Sequence, residues 1–498
     1  MFTERYKLFV FIALFIYCIN TRAQGVRNFQ WNVVGNVEVS LLKDSVSLLR
    51  NPCCGWGLYD DAAGEVADAD TYWAQQDAAA LRYASFFYVR WRWSDMEPEE
   101  GKYAWLYDEN YKKLIQGALD RGLKLAFRVY NNGIDNLRPG TPSFVKDAGA
   151  RGYYTARGNH WTPYIDDPVF REKLENFIRA FAKEYDNPEI VDFIDGVNVG
   201  SWGECHGIEL ENVTQEKSDE TLNWITSLYS KYFKNVILVM PMCSQFGNSS
   251  EMRIAVEKNG YAFRRDGLGS CWFHEAERKV AQGLYPNVCL IGESCYWQGN
   301  EFVGPGFYED DTEYHFNSWR DVYEKTFEHA VDFHFNTLDL RTPVETLGWL
   351  YTAPDLVQKF ISVGGYRIYP SLISYPKEFK RKTSDMRIGT LWKNDGSGFL
   401  PNNNPKWNYK YKIALALIQD NDIKCLVVDD KVDPSTILKE QPVKSECNID
   451  VSGLPEGKYL LGVAIVDKSK GNKPGIKLAL TAPEIAGGWY IVGNVILK

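Results

Sequence analysis

Histidine is scarce in this chain, and what there is carries no metal pattern. The six histidines (160, 206, 274, 315, 329 and 334) include no HExxH and no paired ligand spacing, which gives a metallohydrolase reading no support. The ten cysteines are scattered and form no CxxC pair, so a zinc site finds no footing there either. No GxGxxG or GxxxxGK element cradles a phosphate, which leaves nucleotide chemistry without a motif. Neither a cofactor nor a metal is expected. Positive charge is in deficit, with 56 Lys and Arg against 65 Asp and Glu. An acidic surface argues against nucleic acid or anionic lipid as a partner. Long apolar runs are also missing: only Leu8 to Ile19 stands out, and it is short for a membrane span.

That one run reads as part of an export signal. Arg5 and Lys7 precede it, and Thr21-Arg22-Ala23 offers a small-residue cleavage site, so residues 1–23 are expected to be removed on export to the periplasm or beyond. Cys18 lacks the small residues that precede a lipoprotein cysteine, which favours a soluble exported protein. Removal of the three basic and one acidic residues of this segment leaves a net charge of −11 and nine cysteines, an odd number.

What the chain does have is length and aromatics. It holds 498 residues, 45% hydrophobic and 24% charged, enough for two globular domains. Its 16 Trp, 30 Tyr and 26 Phe fit a large core and equally fit flat surfaces that stack on sugar rings. From about Asn51 short apolar runs alternate with helical patterns, the mark of a parallel α/β fold. Eight strands are expected: Gly55–Tyr59, Ser85–Arg92, Lys124–Tyr130, Ile190–Gly200, Val236–Pro241, Leu268–Trp272, Val288–Glu293 and His334–Leu340. Helices are expected at Glu109–Arg121, Pro168–Tyr185, Ser218–Phe233 and Ser318–Val331. Eight is the number a closed (β/α)8 TIM barrel needs. After residue 365 the runs shorten and are separated by Asn-Asp-Gly, Pro-Asn-Asn-Asn and Pro-Glu-Gly turns. Ile388–Trp392, Ile413–Ile418, Lys424–Val428, Lys458–Val466, Ile476–Leu480 and Trp489–Leu497 read as an antiparallel β-sandwich. The expected organisation is a lead-in over 24–44, a barrel over 45–360 and a smaller sandwich over 365–498, the last a packing lid for the barrel.

The chain is arranged around Asp192-Phe-Ile-Asp-Gly-Val-Asn-Val-Gly-Ser-Trp-Gly-Glu204. An apolar run there meets a glycine-bounded turn and ends on a carboxylate beside Trp202. In a parallel barrel the C-terminal ends of strands open on the active face, so a polar residue there is a catalytic candidate. A second run, Val288-Cys-Leu-Ile-Gly-Glu293, ends the same way.

The stretch Tyr88-Val-Arg-Trp-Arg-Trp-Ser-Asp-Met-Glu97-Pro-Glu-Glu-Gly-Lys-Tyr103 resembles the second-strand signature of clan A glycoside hydrolases, above all the β-galactosidase-like branch. Asn51-Pro-Cys-Cys-Gly-Trp56 and Asp167-Pro-Val-Phe-Arg171 fit the same pattern, and the resemblance spans roughly residues 50–345. The closing runs of the chain resemble an uncharacterised sandwich attached to such barrels in exported bacterial proteins. The clan resemblance implies two catalytic acids at the ends of strands four and seven. Glu204 matches the first. About 93 residues separate strand ends three units apart in a barrel of about 250 residues, and Glu293 lies 89 residues on. Glycosidic cleavage by double displacement needs two such carboxyls, one to protonate the leaving oxygen and one to attack the anomeric carbon.

The other expected contacts follow. Arg90 and Arg92 share one face of the second strand, and the resemblance gives an arginine there the task of supporting the nucleophile. Tyr130, Trp202, Trp272 and Trp297 lie at or just after strand ends, where sugar stacking belongs. One departure is plain: the clan's acid follows an asparagine that holds the substrate 2-hydroxyl, and here Gly203 stands in that place. Its task falls to Asn198, His206 or Asn131, or is absent. The reading is a retaining glycoside hydrolase acting on a poly- or oligosaccharide. The rivals are a glycan-binding barrel without turnover and a structural protein whose sandwich docks a partner.

Overall fold

The computed structural model describes residues 31–498 except 32, 34, 61–65, 133–138, 157, 211–213, 243–245, 296–313, 382–384 and 486. The expected signal segment and Trp297 lie outside the described residues. Eight parallel strands close a barrel in chain order: β1 (Gly55–Tyr59), β2 (Ala84–Arg92), β3 (Lys124–Tyr130), β4 (Val191–Asp195), β5 (Ile237–Pro241), β6 (Ala262–Leu268), β7 (Leu290–Ser294) and β8 (Thr337–Arg341). Their alternation explains the closure. On β2, Phe87, Val89 and Trp91 point outward into the apolar layer beneath the helices, whereas Phe86 and Tyr88 fill the barrel interior. A strand covered on both faces reads as a nearly continuous apolar run, and all nine residues of β2 are buried.

Helices α1 (Ala69–Arg82), α2 (Glu109–Asp120), α3 (Pro168–Tyr185) and α4 (Gln215–Tyr232) return the chain to the base of the barrel. Their starts are written in the sequence. Asp68, Asp108, Asp167 and Thr214 each accept a hydrogen bond from a backbone N–H of the first turn, satisfying donors that a helix leaves open. Pro168 at the first position of α3 adds a preset φ. Among the described residues no helix is long and apolar enough to cross a membrane.

Two strands depart from expectation. The sixth lies at Ala262–Leu268, not Leu268–Trp272, because β6 carries Arg264, Arg265 and Asp266 in its middle and so does not read as an apolar run. The fourth ends at Asp195, well before Gly200. Beyond it the chain leaves the ladder, with Asn198 at φ +50°.

The second unit is a sandwich of two sheets. One has the order Asn36–Ser40, β9 (Ile368–Pro376), β10 (Met386–Asn394) and β13 (Val443–Ile449). The other is built on β15 (Trp489–Leu497), β14 (Gly457–Asp467), β11 (Tyr411–Gln419) and β12 (Asp422–Asp429). Ile373, Ile388 and Trp392 of the first share an apolar cluster with Leu415, Leu461 and Val463 of the second. The strand at Asn36–Ser40 was expected only as lead-in, yet it pairs antiparallel with β9. Of the run Ile476–Leu480, only Ile476 is in a strand, Lys473–Ile476.

This unit closes the barrel's N-terminal end. The Tyr366 hydroxyl donates to the Pro52 carbonyl (2.7 Å), and the Asn403 and Asn404 amides donate to the carbonyls of Asn287 (2.9 Å) and Gly260 (3.4 Å), just before β7 and β6. Asn51 makes the tightest tie. Its buried side chain donates to the Lys477 carbonyl (2.9 Å) and accepts from the Lys477 N–H (2.8 Å), as a strand neighbour would. Asn51→Ala strands both backbone groups and should cost about 2 kcal/mol of stability, read from the midpoint shift in urea unfolding; an unchanged midpoint would show the seam to be held elsewhere.

Candidate active site

At the C-terminal end of the barrel, inward positions that are apolar lower down become charged. Arg90 follows Phe86 and Tyr88 on β2, Arg128 follows Ala126 on β3, and Asp195 follows Phe193 on β4. Arg264 stands on β6, Glu293 on β7, and Asp339 and Arg341 on β8. All are buried. A charge buried without a partner is very costly, so these groups must satisfy one another.

They do so as one network. Arg128 Nε donates to Asp195 Oδ2 (2.6 Å), which also accepts the Tyr88 hydroxyl. A second arm of Arg128 pairs with Glu204, and its third nitrogen lies 4.0 Å from Glu293. Arg264 contacts Glu293, lies 3.8 Å from Glu204, and donates to the Tyr59 hydroxyl (3.1 Å). Arg90 and Arg341 approach Glu293 Oε1 at 3.5 and 3.3 Å. Glu293 is therefore ringed by four guanidinium groups, two of which also reach Glu204.

Glu204 arrives by a different route. It sits in a turn beyond β4, where Ser201 N donates to His206 O (2.7 Å), Cys205 N to Val199 O (2.9 Å) and Glu204 N to Ser201 O (2.9 Å). Gly200 at φ +79° and Gly203 at φ +72° permit the reversal. Gly203 is required twice over. A Cβ there would lie 3.0 Å from Tyr130 Cβ and 3.3 Å from the Arg128 stem, so an asparagine at this place would have to push its neighbours aside. The neighbouring asparagines differ: Asn131 and Asn198 are fully buried, their backbones joined by Asn131 N to Asn198 O (3.1 Å), and among the described residues neither side-chain amide has a hydrogen-bond partner.

Burial, followed by the nearby charge of Asp266, pushes the Glu204 carboxyl up to about 7 against the pull of Arg128 and Arg90. Burial likewise raises Asp339 to about 7, although Arg341 opposes it. His206 is lowered, chiefly by burial, which favours its neutral ring. Asp266 is held below the ordinary range: burial works against its charge, but Arg265 and His206 outweigh it. Glu204, His206 and Asp266 each offer a donor atom, all within 4.8 Å of one another, a spacing that a divalent cation could accept. Arg128 on Glu204 and Arg265 on Asp266 already engage these carboxyls, so their charge is compensated by side chains of the barrel itself.

The remaining expected contacts divide. Arg90 reaches Glu293, but Arg92 does not join the two glutamates: its Nε is held by Asp95 (2.7 Å). Tyr130 is buried at the end of β3 and Trp202 is half-buried, its ring 6.2 Å from that of His206. Trp272 is 53% exposed and lies past the end of β6, where its backbone is held by Arg265 at the carbonyl and by Ser270 Oγ at the N–H (3.1 Å). Trp297 lies outside the described residues. Sequence reasoning missed Arg128, Arg264, Arg341, Asp195 and Asp266. The available signal was a lone charge in step with inward apolar neighbours, as in Ala126-Phe-Arg-Val-Tyr130.

No model of a known protein family matches the chain, and no curated protein sequence does. Several solved structures are similar to it. Endo-glycoceramidase II from Rhodococcus sp. shares 13% identity over 82% of this chain and 99% of its own, with a TM-score of 0.41. An exo-β-1,4-mannosidase from Opitutaceae bacterium strain TAV5 shares 12% over 64% and 58%, with a TM-score of 0.36. An endo-1,4-β-xylanase from Caldicellulosiruptor owensensis shares 10% over 57% and 84%, at 0.34. At these values the chemistry has to be argued from the site's own residues.

The raised Glu204 carboxyl has a consequence for stability. A folded-state value above the ordinary carboxyl value of 4.5 means that the native state binds the extra proton between the two values. Its contribution is then fully present at low pH and is lost as pH rises from 4.5 to about 7. Glu204→Gln, neutral throughout, should match the wild type near pH 4 and exceed it at pH 8 by on the order of 2 kcal/mol. Urea unfolding at the two pH values measures this; an equal difference at both would contradict it.

Proposed function

We propose that the protein is a retaining glycoside hydrolase, with Glu204 as general acid/base and Glu293 as nucleophile. The observation that carries this reading is the pairing of two glutamates at one end of the barrel through shared guanidinium groups. Arg128 and Arg264 each reach both carboxyls, which supports the close approach that double displacement needs. The two environments also differ as acid and nucleophile should. Glu204, pushed up to about 7, keeps a proton for the leaving oxygen near neutral pH. Glu293, faced by Arg90, Arg128, Arg264 and Arg341, is charge-compensated and presents an anionic oxygen to the anomeric carbon. The unpartnered amides of Asn131 and Asn198 are suited to a sugar hydroxyl, and Trp202 to an apolar ring face. An exported protein acting on a poly- or oligosaccharide fits the signal-like start of the chain.

A second reading, a glycan-binding barrel without turnover, draws on the enclosure of the acids: Glu204 is 7% and Glu293 2% exposed, and arginines hold both. The two readings separate in the variants. Under the first, Glu293→Gln abolishes cleavage of every glycoside substrate. Glu204→Ala still forms the glycosyl-enzyme from substrates with activated leaving groups, which need no proton, and azide speeds its second step. A screen of aryl glycosides and plant, algal and host glycans supplies the substrate. Wild-type rates in both variants would show the glutamates to be structural.

A further inference from the structure

We infer that Asp266, in the second half of β6, is the positioning partner of the acid: its carboxylate lies beside the Glu204 carboxyl, shares the proton between them and keeps that proton on Glu204. The inference rests on the catalytic role proposed above and concerns a residue with no part in it so far. Three features of geometry carry it. The Glu204 and Asp266 carboxyls and the His206 ring each bring a polar atom within 4.8 Å of the others. Two carboxyls that close cannot both stay ionised at ordinary cost, so one proton is retained between them. Fixed charges and exposure decide where it sits. Asp266 has Arg265 in direct contact, and Arg265 is itself anchored by Glu277 through Nε (3.0 Å) and Nη2 (2.9 Å). Glu204 faces Arg128 from β3, with Arg264 of β6 at 3.8 Å, but these cations are divided among Asp195, Glu293 and Glu204. Arg265 is likewise shared with Glu277, but the Asp266 side chain is 30% exposed and that of Glu204 9%, so water helps to hold the charge on Asp266 and the proton stays on the more deeply buried Glu204. The lowered Asp266 and raised Glu204 carboxyls agree with this placing.

The pair accounts for both halves of a double displacement. Glu204 gives its proton to the glycosidic oxygen as the bond to the anomeric carbon breaks and Glu293 bonds to that carbon. Two adjacent carboxylates then remain, and their repulsion raises the basicity of Glu204. It takes a proton from water, whose oxygen attacks the anomeric carbon and displaces Glu293. The carbohydrate leaves with the water oxygen and Glu204 is again protonated.

The test uses the full chain and two readouts. Carboxyl titration of Glu204, assigned by difference from Glu204→Gln in infrared or carbon-13 spectra, is compared between wild type and Asp266→Asn, with Asp266→Ser as a second variant should the first not fold. Loss of the neighbouring anion should lower the Glu204 midpoint by about one pH unit, and the alkaline limb of kcat/KM should move to lower pH by the same amount. An unchanged or raised midpoint in the variant overturns the inference, whatever the activity. If the midpoint falls while the wild type cleaves no glycoside in the screen, the carboxyl pair stands and the glycosidase reading fails.

Discussion

Everything at the open end of this barrel depends on the mutual compensation of buried charges. Four guanidinium groups, from Arg90, Arg128, Arg264 and Arg341, lie within the walls with no more than 6% of any exposed. Stripping water from an ion costs several kcal/mol, recovered only when oppositely charged partners and hydrogen bonds are well placed. That requirement explains residues with no obvious chemical duty. Asp195 binds Arg128 from below, and the Tyr88 and Tyr59 rings offer their faces to the cations, with Arg264 and Arg128 at 5.1 and 5.7 Å from Tyr88 and Arg341 at 5.2 Å from Tyr59. Removing one member leaves another uncompensated, so the network specifies its own geometry.

The same constraint divides the molecule lengthwise. The lower barrel is apolar inside, and its end is sealed by the sandwich through Tyr366, Asn404, Lys406 and the Asn51–Lys477 tie. Lys406 reaches the Phe233 carbonyl from a site where burial holds its ammonium down at about 8. With the base closed, chemistry is left to the opposite end, where strands finish and turns such as 198–206 bring in side chains that no strand could aim there.

How much of this was legible follows from what each residue does to an apolar pattern. Six of the eight strands read close to position, and the fourth in place but run on past Asp195, because their inward and outward residues are both apolar over most of their length. β6 did not, since Arg264, Arg265 and Asp266 interrupt it, and the run Leu268–Trp272 downstream reads as the strand instead. Trp272 was misplaced with it. Glu293 was legible as the end of a run. Glu204 was legible only through its glycines, because it lies past the strand in a turn that the apolar run Ile190–Val199 overstates. The arginines of β3, β6 and β8 were hidden for a different reason: their partners lie far apart in sequence and are joined only by closure of the barrel. The sandwich strands β9 and β13 were also missed. On β13 the polar residues Lys444 and Glu446 alternate outward and dilute the run, while β9 is nearly all buried but carries Pro370, Ser371 and Ser374 among its apolar residues.

Gly203 shows how the charge network reaches into sequence. Arg128 must extend toward Asp195 and Glu204 together, and its stem passes beneath the turn that carries Glu204. The backbone above it at residue 203 is left-handed and within contact of that stem, so glycine is the residue that fits. The hydroxyl-binding amide found before the acid in the clan pattern is thereby displaced. What lies nearby are Asn131 and Asn198, buried with open hydrogen-bonding capacity at the ends of β3 and β4. Leaving such groups unmet costs roughly 1–3 kcal/mol each, a standing strain that a polar ligand would relieve. A buried arginine thus sets the turn, the turn disfavours an asparagine at residue 203, and Asn131 and Asn198 are the buried amides left beside it.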